Sequence, residues 1–232
     1  KKRRRELAAF LALALVAVEA AVNTTVTSVT TTSREAYTRD NKEVQALMEK
    51  LEPAEDFYRV EKKTRKTKND GAWMNFPSVS LFSSTANADL TKFFKRMGCE
   101  ASTNAYSITG STPLVDSLLS VRYALYSEYI PNTDLVNYIQ ESGGTYLYEN
   151  LYTLPLGFVL PYDLADNWQY QMENPAEVQN DLCLLLGTDD VLVPVETEVS
   201  GSGCTFTADM AGEYYVYIQN KKVKNVKASL PS

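Results

Sequence analysis

Carboxylates are the side chains in this sequence with the clearest claim to chemistry. Asp189-Asp190 and Glu196/Glu198 are local pairs, and Asp163 and Asp166 stand three apart. Glycoside hydrolysis needs two carboxyls facing one sugar at a set separation, which neighbours in sequence do not establish. There is no histidine, which excludes Ser/His/Asp and Cys/His catalysis, His-ligated zinc and a histidine pH switch. No P-loop, GxGxxG, GxSxG, CxxC or EF-hand pattern is present, so no cofactor or metal is implied. Cys99, Cys183 and Cys204 are odd in number and widely spaced. Buried free thiols suit them better than a readable disulfide framework. Tyr214, Tyr215 and Tyr217 form an aromatic run that reads either as one face of a packed strand or as a platform for stacking a sugar.

These groups must be positioned by the elements of a 232-residue chain, 44% hydrophobic and 22% charged. That is ordinary globular composition for one large or two small domains. The net charge is −6, with five of the 23 basic residues at positions 1–5, so the body is more acidic still. It lacks the basic footprint that nucleic acid requires.

The first segment is membrane-related. Lys1 to Arg5 are all basic, and Leu7 to Val22 contains one charge, Glu19. Those 16 residues would span roughly 24 Å as helix, short of the roughly 30 Å hydrocarbon core. Extension through Val26 and Val29 makes up the length. The basic run places this end in the cytoplasm and the rest outside. Three readings stay open: a signal peptide, a lone anchor, and one helix of a polytopic bundle. The seven alanines and Glu19 suit the bundle best. Residue 1 is Lys, and the end from Lys221 to Ser232 still alternates like a strand. The expectation is a piece of a longer protein.

Asn23 to Arg39 reads as a Thr/Ser-rich connector. Asp40 caps a helix whose apolar stripe is Val44, Leu47, Met48 and Leu51, ended by Pro53. Strands are expected at Phe57–Glu61 and Val79–Ser83. Arg59 to Lys68 holds six bases and reads as a solvated loop or as a contact for anionic headgroups. Asn69-Asp70-Gly71 reads as a turn. A helix runs from Asp89 to Met97, stopped by Gly98, and another begins at Thr112-Pro113. A strand follows at Val121–Ser127. Ser142-Gly143-Gly144 joins a hairpin of Leu135–Gln140 and Thr145–Asn150. Gly157–Leu160 reads as a short strand, and Asn174-Pro175 starts a helix stopped by Gly187. Val191–Val195, Cys204–Ala208 and Glu213–Gln219 read as strands of a β-sandwich. The fold class is α+β: residues 1–29 a transmembrane helix with a basic flank, 30–187 a mixed α/β extracytoplasmic domain, 188–232 a partial β-sandwich.

Several stretches, in order, resemble the YfhO-type bacterial membrane proteins. They are Phe57-Tyr58-Arg59-Val60-Glu61; Leu81-Phe82-Ser83-Ser84-Thr85 with the Phe93-Phe94 helix; Gly110-Ser111-Thr112-Pro113-Leu114 with Asp116-Ser117-Leu118-Leu119-Ser120-Val121-Arg122-Tyr123; Tyr148-Glu149-Asn150 with Leu154-Pro155-Leu156-Gly157-Phe158; and Asn174-Pro175 with Gln179-Asn180. They cover roughly residues 57–187. The resemblance implies a polytopic membrane protein with a glycosyltransferase module of the GT-C type. Such enzymes use a polyprenyl-phosphate sugar on the outer face, and some members are linked to glycosylation of envelope polymers such as lipoteichoic acid. The catalytic acid of that type lies in an early loop that has no counterpart here, so no catalytic residue carries over. Ser83, Ser84, Asp116, Arg122, Tyr123, Glu149 and Asn150 are polar exceptions among apolar neighbours. They would either line a groove for acceptor glycan or satisfy buried backbone groups. The implied partners are the bilayer, other transmembrane helices of the parent chain, the polyprenyl-phosphate sugar and envelope glycan. The implied role is an accessory domain that assists sugar transfer. The alternative is a non-enzymatic envelope glycan-binding or scaffold domain.

Overall fold

The apolar residues at the start of the chain lie on one long helix and are exposed. A computed structural model describes residues 2–30, 34–51, 57–201, 203–208, 210–218, 226, 227 and 229. It divides into two units, 1–42 and 43–232. The first holds α1 (Lys2–Thr30) and α2 (Arg34–Thr38). Within α1, Lys2–Ser28 is long and apolar enough to cross a bilayer, and none of that window is buried against protein. The helix runs on through Asn23–Thr30, where the composition predicts a connector. Threonine is tolerated there because its hydroxyl can bond back along the helix, as Thr25 Oγ1 does to Ala21 O at 2.8 Å.

The second unit is built on a four-stranded sheet. It begins in α3 (Asn41–Met48), whose first two residues fall in the first unit. Then come β1 (Arg59–Lys62), α4 (Asp70–Met74), β2 (Leu81–Phe82), α5 (Ala88–Arg96), β3 (Ala101–Ser102), β4 (Ala105–Tyr106), α6 (Pro113–Leu118), β5 (Val121–Tyr126), β6 (Val136–Ser142), β7 (Thr145–Asn150), α7 (Leu164–Asn167), α8 (Pro175–Leu185), β8 (Glu198–Ser200) and β9 (Gly203–Thr205). The main sheet has the order β1-β5-β7-β6, with β1 and β5 parallel and the other pairs antiparallel. Gly143 and Gly144, both at positive φ, make the two-residue turn between β6 and β7, as the right-handed twist of a hairpin favours. A small sheet, β2-β4-β3, lies in the excursion between β1 and β5.

Two apolar cores follow from this layout. Val44 and Leu47 of α3 pack with Val60, Met74, Phe76, Tyr123, Leu125 and Leu147. Phe94, Met97, Cys99, Tyr106, Val115 and Val178 form the second, among α5, α6, α8 and the small sheet. The helices begin where side chains can satisfy their free N–H groups. Asn87 Oδ1 accepts from Asp89 N and Leu90 N, Thr112 Oγ1 from Val115 N, and Asn174 Oδ1 from Ala176 N. Gly98 and Gly187 end α5 and α8 at positive φ.

Four expectations are corrected. Asn69-Asp70-Gly71 is not an isolated turn but the start of α4, where Trp73 N donates to Asn69 O and the Asp70 carboxylate, accepting from Lys66 N and Thr67 N at 2.8 Å each, fixes the chain just ahead of the helix. A side chain on Gly71 would collide with Ser78. The Gly157–Leu160 run is irregular and exposed, with Val159 98% exposed, because no neighbouring strand pairs with it. Val191–Val195 and residues 213–218 lack strand pairing for the same reason, and β8–β9 is the one hairpin among the described residues after 188. Pro53 and most of Lys221–Ser232, including Gln219 before them, lie outside the described residues.

The fourth correction concerns the basic stretch. Arg59 Nη1 donates to Leu119 O at 2.6 Å, and Lys63 Nζ to Asp116 Oδ2 at 3.1 Å. Arg65 reaches Ser80 Oγ, Thr109 Oγ1 and Glu100 Oε2, and Lys68 reaches Glu100 Oε1 at 2.6 Å. Lys62 and Lys66 are also engaged. These cations are spent inside the fold, which removes the free positive patch that both readings of the stretch assume. Cys99 and Cys183 are buried free thiols and Cys204 is an exposed one. Burial, followed by the nearby Asp116 charge, pushes the Cys99 thiol up to about 12.

Candidate functional site

Strand alternation divides the polar residues of the main sheet between its faces. Tyr123 and Glu149 are cross-strand partners on β5 and β7. Tyr126 and Asn150, an odd number of residues away on the same strands, project to the opposite face. On that face a small, open pocket, with room for about one water (about 20 Å³), is lined in part by Lys63, Ser111, Asp116, Tyr126, Asn150 and Tyr152. Lys63 comes from just beyond β1, Asp116 from α6, and Asn150 from the end of β7. Glu213 and Tyr215 of the C-terminal segment complete the wall.

Each wall group is held locally. Asp116 is 3% exposed, and its Oδ2 carries the Lys63 ammonium. Asn150 is 3% exposed and donates from Nδ2 to Val121 O at 2.7 Å. Tyr215 donates its hydroxyl to Glu213 Oε2 at 2.6 Å. Ser111 is buried at the entrance to α6, with its backbone N–H donated to Ile108 O. Among the described residues, three buried side-chain oxygens have no partner: Asn41 Oδ1, Ser111 Oγ and Asp116 Oδ1. The last two line this pocket. Buried polar atoms in folded proteins are normally paired with protein or with ordered water, and the room here suits one water.

The electrostatics follow from these contacts. Burial, the largest influence, pulls the Lys63 pKa down, but the charge and hydrogen bond of Asp116, with Tyr126 and Glu213, outweigh it and hold it above the ordinary lysine value. Burial raises Tyr126, Tyr152 and Tyr215, and for Tyr215 the Glu213 hydrogen bond adds to it. All three tyrosines therefore stay neutral hydroxyls. The pocket sets one ammonium against two carboxylates, ringed by uncharged donors.

The residues singled out from sequence fall into three groups. Asp116 and Asn150 meet in the pocket. Arg122 Nε donates to Glu149 Oε1 at 2.9 Å and its guanidinium lies 5.4 Å from the Tyr123 ring centroid, which in turn meets Tyr58 edge-on at 5.0 Å. Ser83 Oγ lies 3.1 Å from Thr85 Oγ1 in the turn after β2, and Ser84 beside it is exposed. The local acid pairs do not gather: Asp163, Asp166, Asp189, Asp190, Glu196 and Glu198 are all exposed, and none lines the pocket. Lys63, Ser111, Tyr126, Tyr152 and Glu213 were not legible as site residues. Membership in the basic stretch, and Tyr215 in the tyrosine run, were the available signals.

An exposed apolar helix of spanning length, leading into a folded α+β body, is the build of a membrane protein. The chain belongs to the family described as bacterial membrane protein YfhO, whose model matches residues 1–193. No curated protein and no solved structure matches it.

Proposed function

We propose that the chain is an extracytoplasmic accessory domain of a polytopic YfhO membrane protein. In this reading it assists transfer of a sugar from a polyprenyl-phosphate donor to a cell-envelope glycopolymer. The basic flank of α1 holds the N-terminal end in the cytoplasm, and residues after about 29 stand outside. Residues 30–187 form the working domain and 188–232 a β-rich extension. The domain contributes contacts to the acceptor rather than bond chemistry. Asp116 and Asn150 supply them in the pocket; Arg122, Tyr123 and Glu149, and the Ser83-Ser84 turn, are further acceptor contacts.

The observation that supports this best is the match to this membrane family over residues 1–193, together with the apolar helix of spanning length that precedes the folded domain. The test is deletion of residues 43–232 from the full-length parent, followed by analysis of the envelope glycan. Altered acceptor use is expected. Unchanged transfer would overturn the accessory role and leave the scaffold reading in its place.

A further inference from the structure

An apolar loop follows β7. Residues 151–162 carry no charge, and Leu156 to Tyr162 reads Leu-Gly-Phe-Val-Leu-Pro-Tyr. Every residue of that run is exposed, Val159 at 98% and Tyr162 at 103%. Apolar side chains exposed singly are ordinary, but a contiguous run marks a surface that meets something.

The form of the loop restricts what it meets. Side chains this exposed make no continuous shape with their neighbours, whereas a protein interface is built on a well-filled, complementary patch. A fluid apolar phase makes no such demand. Charge points to a neutral surface. No Lys or Arg lies between Arg122 and Lys221, and Asp163 and Asp166 follow the loop directly. The contact is therefore hydrophobic, not electrostatic. The chain also carries its own link to a bilayer, because α1 is apolar, exposed and of spanning length. Residues 31–40, between α1 and α3, reach at most about 35 Å when fully extended, so the folded unit stays tethered near the membrane that holds α1.

The backbone sets the depth. The loop forms neither helix nor strand and is punctuated by Pro155, Gly157 and Pro161. Irregular backbone exposed to lipid does not enter the hydrocarbon core, where its polar groups would go unpaired. The headgroup region supplies water, and tyrosine is at home there. We infer that the Leu156–Tyr162 loop dips into the headgroup region of the bilayer that holds α1, led by Val159 and Tyr162. This goes beyond the accessory-domain reading and does not rest on it.

The experiment uses the full chain in phosphatidylcholine vesicles, with an environment-sensitive fluorophore on one introduced cysteine. Cys204→Ser removes the exposed thiol, and Cys99 and Cys183 are buried. The probe sites are Val159→Cys and Tyr162→Cys, with Lys95→Cys, exposed on α5, as the reference. Lipids carrying a nitroxide near the headgroup or at mid-chain serve as quenchers. Both loop sites should be quenched at least about threefold more than position 95, and more by the shallow nitroxide than by the deep one. Adding Val159→Asp to Tyr162→Cys should cut the quenching at least about twofold, because a carboxylate resists leaving water. Quenching at both loop sites equal to that at position 95 overturns the inference, as does quenching that appears only when phosphatidylglycerol is mixed in. A blue-shifted probe that neither nitroxide quenches marks a second copy of the chain as the occupant and overturns it too.

Discussion

Two buried carboxylates, Glu61 within the Arg59–Lys68 stretch and Asp116 on α6, are treated differently by the fold. Glu61 is 1% exposed. Its Oε1 accepts from Ser78 Oγ, Val79 N and Ser80 N, and its Oε2 from Ser80 Oγ. Both oxygens are filled by neutral donors, and the result ties β1 to the chain that leads into β2. Asp116 is as deeply buried, yet one oxygen holds a lysine and the other holds nothing. A carboxylate saturated by its own fold is a fastener. A carboxylate left half-filled at the wall of a small open pocket keeps one oxygen for solvent.

The largest expected effect is therefore at Glu61. Glu61→Ala strands several buried donors at once and should cost about 3–5 kcal/mol, read by denaturant unfolding in micelles. A cost near 1 kcal/mol would erase the distinction from Asp116. Lys63→Met leaves Asp116 without its cation, and should cost less, about 1–2 kcal/mol, because the Lys63 side chain is 29% exposed and the pair is partly solvated. Adding Asp116→Asn to Lys63→Met should recover part of that loss, a coupling that a double-mutant cycle measures.

The same pair sets an alkaline limit. Its folded pKa is raised, so the stability it gives is complete below the ordinary lysine value, about 10.4. That contribution is lost as pH rises through the raised value. Lys63→Met should remove this share of the alkaline loss from a stability profile and leave the share carried by the raised tyrosines, Tyr126, Tyr152 and Tyr215. The smallest effect belongs to Glu100, which the Lys68 hydrogen bond chiefly, with Ser107 and Arg65, holds below the usual carboxylate range. Its contribution is present above that range and fades as pH falls through the lowered value. At 46% exposure solvent screens it to a few tenths of a kcal/mol, and Glu100→Gln should flatten the acid limb by no more than that.

Much of the local structure was legible because its signals are local. The α6 and α8 starts at Thr112-Pro113 and Asn174-Pro175, the stops at Gly98 and Gly187, and the Gly143-Gly144 turn each lie within a few residues of what they cause. The basic stretch misled because its counter-groups are remote: Asp116 is 53 residues from Lys63, and Glu100 is 35 from Arg65. The two-residue strands β3 and β4 carry no periodicity to read. The parallel pairing of β1 with β5 depends on everything between them. The pocket was only half legible. Asp116 and Asn150 stood out as polar residues among apolar neighbours, but Ser111, Tyr126 and Tyr152 look like ordinary helix-entry and strand residues until the sheet places them together.

That parallel pairing also fixes the order in which the molecule can be completed. Lys63 leaves β1 and Asp116 lies just ahead of β5, so their contact spans the neck of the whole excursion between the two strands. Closing so long a loop is slow, whereas β5 can pair with β7 across a shorter separation. Glu213 and Tyr215 leave the ribosome later still. The wall that Glu213 and Tyr215 supply is thus made only after every other residue lining the pocket has been synthesised, so the pocket is the product of a contact between distant parts of the chain.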